Sequence, residues 1–125
     1  MAELRKNSRY QSIAKAKIEG VDQGESLLKD ISITGCRVEC TAYAEMKLNT
    51  KYNVEVIPEK ISQIGEFILN VESKWIRTWS YFCEIGFNIV ESPKKKHFQR
   101  YVDYLSWRNS HGKSMFGIDG EEPVR

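Results

Sequence analysis

Cysteine and histidine are scarce in this sequence, with three and two copies in 125 residues, and their placement offers a metal nothing to hold. Cys36 and Cys40 stand four positions apart in an alternating stretch, which puts their thiols about 13 Å apart at ~3.3 Å per residue, too far for one tetrahedral ion. His97 and His111 have no partner at ligand spacing, so the cysteines read as core residues of a protein kept in a reducing compartment. Long apolar runs are missing as well. Nothing approaches the ~18 residues that a spanning helix needs, and Met1-Ala2-Glu3-Leu4-Arg5-Lys6 lacks the apolar stretch of a secretory signal. The expectation is a cytoplasmic protein without membrane insertion. A strong charge excess is also absent: 19 Lys plus Arg against 17 Asp plus Glu leave +2, too little to indicate a duplex nucleic-acid binder. No nucleophile with a base, no paired carboxylates and no metal set are visible, so the chain does not read as an enzyme. Gly112-Lys113-Ser114 matches the end of a phosphate-binding loop, but Trp107 stands where the upstream glycine is required and the preceding segment reads as helix rather than strand.

What is present is globular. A composition of 41% hydrophobic and 29% charged residues in 125 positions suits one domain with one core. From Ser12 to Ile89 the pattern is short alternating segments divided by turns. Tyr52, Val54 and Val56 share one face, as do Phe67, Leu69 and Val71, while Cys36, Val38 and Cys40 oppose Arg37 and Glu39. About six or seven strands of this kind, with no long helix between them, predict an antiparallel sheet closed into a barrel, because closure removes exposed edges. The rhythm then changes. Ser92 as N-cap and Pro93 at the first position start an amphipathic helix running to about Trp107, with Phe98, Tyr101, Val102 and Leu105 as its buried stripe. Residues 110–125, with Gly112, Gly117, Gly120 and Pro123, read as an irregular tail.

The first twenty residues carry Arg5, Lys6, Arg9, Lys15 and Lys17 against Glu3 and Glu19, a local excess suited to a small anion. Two patterns stand near one another here. Arg5 to Arg9 is an RxxxR, of which about 0.4 are expected by chance at this composition, so alone it means little. Asp30-Ile31-Ser32-Ile33-Thr34-Gly35 is a DxSxxG, with about 0.02 chance occurrences, and the separation of the two fits one β-hairpin.

These motifs make the sequence resemble the PilZ domains, which bind the bacterial second messenger cyclic di-GMP on a six-stranded barrel. The likeness extends to Ser73-Lys74-Trp75-Ile76-Arg77, to Cys83-Glu84-Ile85-Gly86-Phe87 and to the closing helix. It implies a mainly β protein: residues 1–11 as a flexible switch segment, 12–109 as the barrel and C-terminal helix, and 110–125 as a tail without counterpart. It further implies that Arg5, Arg9, Asp30, Ser32 and Gly35 bind ligand, with Leu4, Lys6 and Trp75 as lesser candidates, and that no cofactor or metal is needed. In the family an arginine at the place of Leu4 tends to accompany a stacked ligand dimer, so Leu4 favours one ligand. The expected partners are cyclic di-GMP and an unidentified downstream protein, with the chain a monomer or weak dimer. Motility, attachment, exopolysaccharide production and virulence are the outputs the resemblance suggests.

The residue types fit that ligand on their own chemistry. A guanidinium can fork onto phosphate oxygens or the guanine O6/N7 edge, or stack on the ring. A carboxylate at Asp30 can accept from guanine N1–H and N2–H₂, donors that adenine lacks. The Ser32 hydroxyl can donate to phosphate, and Gly35 permits positive φ and close backbone approach. Arg5 and Arg9 in an extended segment lie on one side about 13 Å apart, a two-point grip. The apolar residues beside them, Leu4 and Tyr10, are too few to order the segment alone, so ligand binding is expected to order it. Two other classes compete: a PilZ-like interaction scaffold without nucleotide binding, and an OB-like barrel that stacks single-stranded nucleic acid on its aromatics.

Overall fold

Alternation at period two makes strands with one wet and one dry face, and a computed structural model of the chain assembles them around a single core. The structure describes residues 8–21, 23–41, 45–79 and 82–116, the last six by backbone alone. Its elements are β1 (Tyr10–Gln11), β2 (Lys15–Ile18), β3 (Ser26–Ile31), β4 (Gly35–Cys40), β5 (Lys51–Ile57), a 3₁₀ turn (Lys60–Ser62), β6 (Phe67–Thr78), β7 (Cys83–Glu91) and α1 (Lys95–Phe116). All strand pairings are antiparallel, and the order β3-β2-β5-β6-β7-β4 closes through β3–β4 into a six-stranded barrel. β1 is an extra strand. It pairs with β3 at Tyr10↔Ile31 and Gln11↔Asp30, in line with the β2 pairing at Lys15↔Leu27. The ladder runs on between them through Ser12 N to Lys29 O and Leu28 N to Ala14 O. Strand pairing therefore begins at Tyr10, in an extra strand outside the six of the barrel, and the intervening backbone stays bonded to β3.

The expected faces are the observed ones. Val54, Val56, Phe67, Leu69, Val71, Cys36, Val38 and Cys40 are buried, and Arg37 and Glu39 point outward. The helix stripe Phe98, Tyr101, Val102 and Leu105 is buried against the barrel, with Phe67 ring centroids 6.0 Å from Phe98 and 5.9 Å from Tyr101. Full burial of each such side chain stabilises the fold by roughly 1.5–3 kcal/mol.

The helix ends differ from the expectation. α1 begins at Lys95 because the buried Ser92 donates its hydroxyl to Ile68 O at 2.7 Å, tying the chain to β6 instead of capping the helix, and Pro93 falls in the turn that follows. At the other end it continues to Phe116, so residues 110–116 are helical rather than irregular. A single internal glycine such as Gly112 costs only about 1 kcal/mol, and no proline intervenes before Pro123. The remainder of the expected tail, 117–125, lies outside the described residues, as do Leu4, Arg5, Lys6 and most of the expected switch segment.

Burial pushes the Cys36 thiol from its ordinary 9.0 up to about 12, and burial followed by the neighbouring Cys83 does the same for Cys40. Burial also raises the Tyr101 phenol. Above pH 9 an unfolded chain releases these thiol protons while the folded chain keeps them, so the stabilisation is complete below pH 9 and is lost as the pH climbs toward 12. A urea midpoint followed by tryptophan fluorescence is expected to fall steadily across that window; a midpoint that is flat or rises there contradicts the assigned burial.

Candidate functional site

Hydroxyl and amide chemistry shapes the β3–β4 corner. Ser32 is buried, and its Oγ accepts from the backbone N–H of Thr34 and of Gly35, each at 3.1 Å, while Ser32 N donates to Gly35 O at 2.8 Å. A serine here closes the turn by satisfying amides that a tight corner leaves without ladder partners. Immediately before it, a register shift between Leu28 and Asp30 sets Asp30 opposite Arg37. The bulge aims the Asp30 carboxylate at the outer face, beside Arg37.

Two guanidinium groups then converge on that carboxylate. Arg9, one residue before β1, donates from Nη1 to Asp30 Oδ1 at 3.0 Å. Arg37 places Nε 3.0 Å from Asp30 Oδ2 and Nη1 2.9 Å from Glu84 Oε2. The Arg37 Nε is buried and its N–H is not aligned for a hydrogen bond, so its contact with Asp30 is an ion pair held by proximity. Exposure grades the cluster: the side chains of Arg9 and Arg37 are 48% and 34% exposed, those of Asp30 and Glu84 16% and 11%.

Gly35 has its role through space rather than conformation. Positive φ among the described glycines occurs at Gly20 and Gly24 and not at Gly35, which corrects the expectation for that residue. Strand geometry prevails because Gly35 is the first ladder residue of β4, opposite Asn88 of β7. What the missing Cβ allows is close approach: a Cβ at Gly35 would lie 2.8 Å from Arg9 Nη2 and 3.0 Å from Phe87 O. The bare backbone is the floor on which Arg9 rests.

The same face extends sideways. Cross-strand partners run Asp30↔Arg37↔Gly86↔Trp75 over β3, β4, β7 and β6. A bulge between Ser73 and Trp75 brings Trp75 into this row, and its indole covers Gly86 so closely that a Cβ there would overlap the ring. Gly86 thus serves as a seat for an aromatic plate that remains 37% exposed. The Arg77 guanidinium carbon stands 4.9 Å from the Trp75 ring centroid, adding a cation–π contact.

Of the expected site residues, then, the structure brings Arg9, Asp30 and Gly35 together, puts Ser32 inside the corner beneath them, and sets Trp75 on the same outer face. Leu4, Arg5 and Lys6 fall outside the described residues. Sequence reasoning passed over Arg37, Arg77 and Glu84. For Arg37 a signal existed, since it occupies the outward position two residues after Gly35. Glu84 had none, because its contact with Arg37 depends on how β4 and β7 pair.

No protein-family model matches the sequence, and no curated protein matches it. Among solved structures, the chain is similar to the Bacillus subtilis inhibitor of motility, MotI/DgrA, with a TM-score of 0.70 at 13% sequence identity. The two chains share a fold. The match covers 85% of this chain and 51% of the other, so the chain spans about half the length of that protein. At this identity the likeness is one of architecture. MotI/DgrA is named for inhibiting motility rather than for a catalysed reaction. Among the described residues no helix is long and apolar enough to cross a membrane.

Proposed function

We propose that the chain is a cyclic di-GMP receptor of a bacterial cytoplasm that acts without catalysis. Its N-terminal arginine segment, taken as residues 1–11 with Arg5 and Arg9 as the gripping pair, is ordered by the ligand and then recognised by a partner protein. The observation that carries the reading is the meeting of Arg9 and Asp30 on the outer face, above Gly35. Arg9 supplies a phosphate or guanine fork, Asp30 an acceptor for guanine N1–H and N2–H₂, and Trp75 a flat surface for a base. Ser32 contributes by shaping the corner, and Leu4 in place of an arginine goes with one ligand per chain. Control of motility suits the likeness to an inhibitor of motility, with attachment and virulence as related outputs.

Calorimetric titration with cyclic di-GMP, cyclic di-AMP and a short single-stranded oligonucleotide tests the proposal. Binding of the first alone is the expected result, with affinity falling as salt is added because phosphate contacts are screened where exposed. A response to the oligonucleotide alone would establish the OB-like reading. Silence toward all three would favour the scaffold, a reading to which the mutual neutralisation of Arg9 and Asp30 also lends itself.

A further inference from the structure

We propose that Arg37 is a positioning residue: it is the standing counter-ion of Asp30, and its presence is what frees Arg9 to exchange that carboxylate for a ligand phosphate. The inference rests on the receptor reading above.

The two cations at Asp30 are not equivalent. Arg37 sits inside β4, with ladder partners on both sides at Asp30 and Gly86, and its guanidinium is shared with Glu84. Arg9 precedes the first ladder residue, Tyr10, and is the more exposed of the two. A carboxylate as sheltered as Asp30 resists losing its only cation, because an uncompensated charge in a partly dry site is expensive. With Arg37 at Oδ2, Asp30 keeps a partner when Arg9 leaves Oδ1. Without Arg37, Asp30 would keep Arg9 alone among the cations of the described residues and compete with the phosphate for it, while Glu84 would lose its partner at Nη1. Among the described residues the ion pairs at Asp30 and Glu84 join two arginines and two carboxylates, so a doubly anionic ligand meets a cluster in which one cation is already held and the other can turn toward it.

The test compares calorimetric affinities for cyclic di-GMP among the parent, Arg37→Gln, Asp30→Ala, their double variant and Arg37→Lys, each checked for folding by thermal melt. R37Q is expected to weaken binding by about 10-fold or more. The same change in the D30A background should shift affinity by less than about 3-fold, since a residue acting through Asp30 has nothing left to position. R37K, which restores the charge, should recover most of the loss. Should the orphaned Glu84 keep R37Q from folding, the R37Q/E84Q variant leaves no unpaired carboxylate there and carries the same comparison. R37Q binding like the parent overturns the inference while the receptor reading stands. So does an undiminished R37Q loss in the D30A background. A parent that binds no cyclic di-GMP removes the receptor reading and this inference with it.

Discussion

Replacing Arg9 by alanine is expected to weaken cyclic di-GMP binding by roughly 10- to 150-fold, the equivalent of charge-assisted bonds worth ~1.5–3 kcal/mol. Stability should hardly move. The Arg9 side chain is 48% exposed and its pair with Asp30 lies at the surface, where such pairs contribute only about 0.2–1 kcal/mol. The separation of the two effects is what makes the variant informative: an intact melt with lost binding assigns Arg9 to the ligand. Arg5→Ala is expected to behave likewise. Asp30→Ala tests the complementary half, because a carboxylate that reads guanine N1–H and N2–H₂ sets the preference over adenine. Isothermal calorimetry of purified variants with cyclic di-GMP and cyclic di-AMP decides. Parent-like affinity in both arginine variants removes them from the site, and an undiminished preference for guanine in D30A removes Asp30 from base recognition.

The largest effect on folding is expected at Tyr101. Its side chain is fully buried, its ring lies against Phe67, and its O–H donates to Glu59 Oε1 at 2.8 Å while Ser12 Oγ lies 2.8 Å from the Tyr101 hydroxyl oxygen. Truncation to alanine removes an aromatic from a packed site and should cost about 3–5 kcal/mol, a large share of the 5–15 kcal/mol typical of a domain. Tyr101→Phe keeps the ring but strips the network of its centre, and should cost about 1–3 kcal/mol. That network also includes Arg108, which reaches Glu59 Oε2 at 3.1 Å and the Gln11 carbonyl at 2.8 Å. α1 therefore holds the root of the segment that carries Arg9. Urea unfolding measures both variants, and hydrogen exchange at Tyr10 and Gln11 should quicken in Tyr101→Phe. Unchanged exchange there would show that the helix does not secure the segment.

The amino-acid order made much of the framework legible, for reasons that differ from part to part. Cys36, Val38 and Cys40 alternate against Arg37 and Glu39, and an alternating strand has one dry side wherever it lies, so their faces needed no partner to be known. Phe98, Tyr101, Val102 and Leu105 formed a stripe for the same reason at helical period. The helix ends were less accessible. Ser92 had the chemistry of a cap, but a carbonyl of β6 took its hydroxyl, and that competitor lies far away in the chain. Gly35 was recognised as a place needing no Cβ, although the need comes from Arg9 and Phe87 pressing on it rather than from its own φ.

Local spacing thus determined which side chains face water, where strands give way to helix, and which residues, Arg9 and Asp30 among them, have the chemistry for a phosphate and a guanine. Pairing between strands decided the rest. The bulge at Asp30, the bulge at Trp75 and the β4–β7 ladder align Asp30, Arg37, Gly86 and Trp75 in one row and bring Glu84 to Arg37. Register of this kind depends on the packing of the whole closed barrel, since a slip of one residue would turn every one of these side chains to the opposite face.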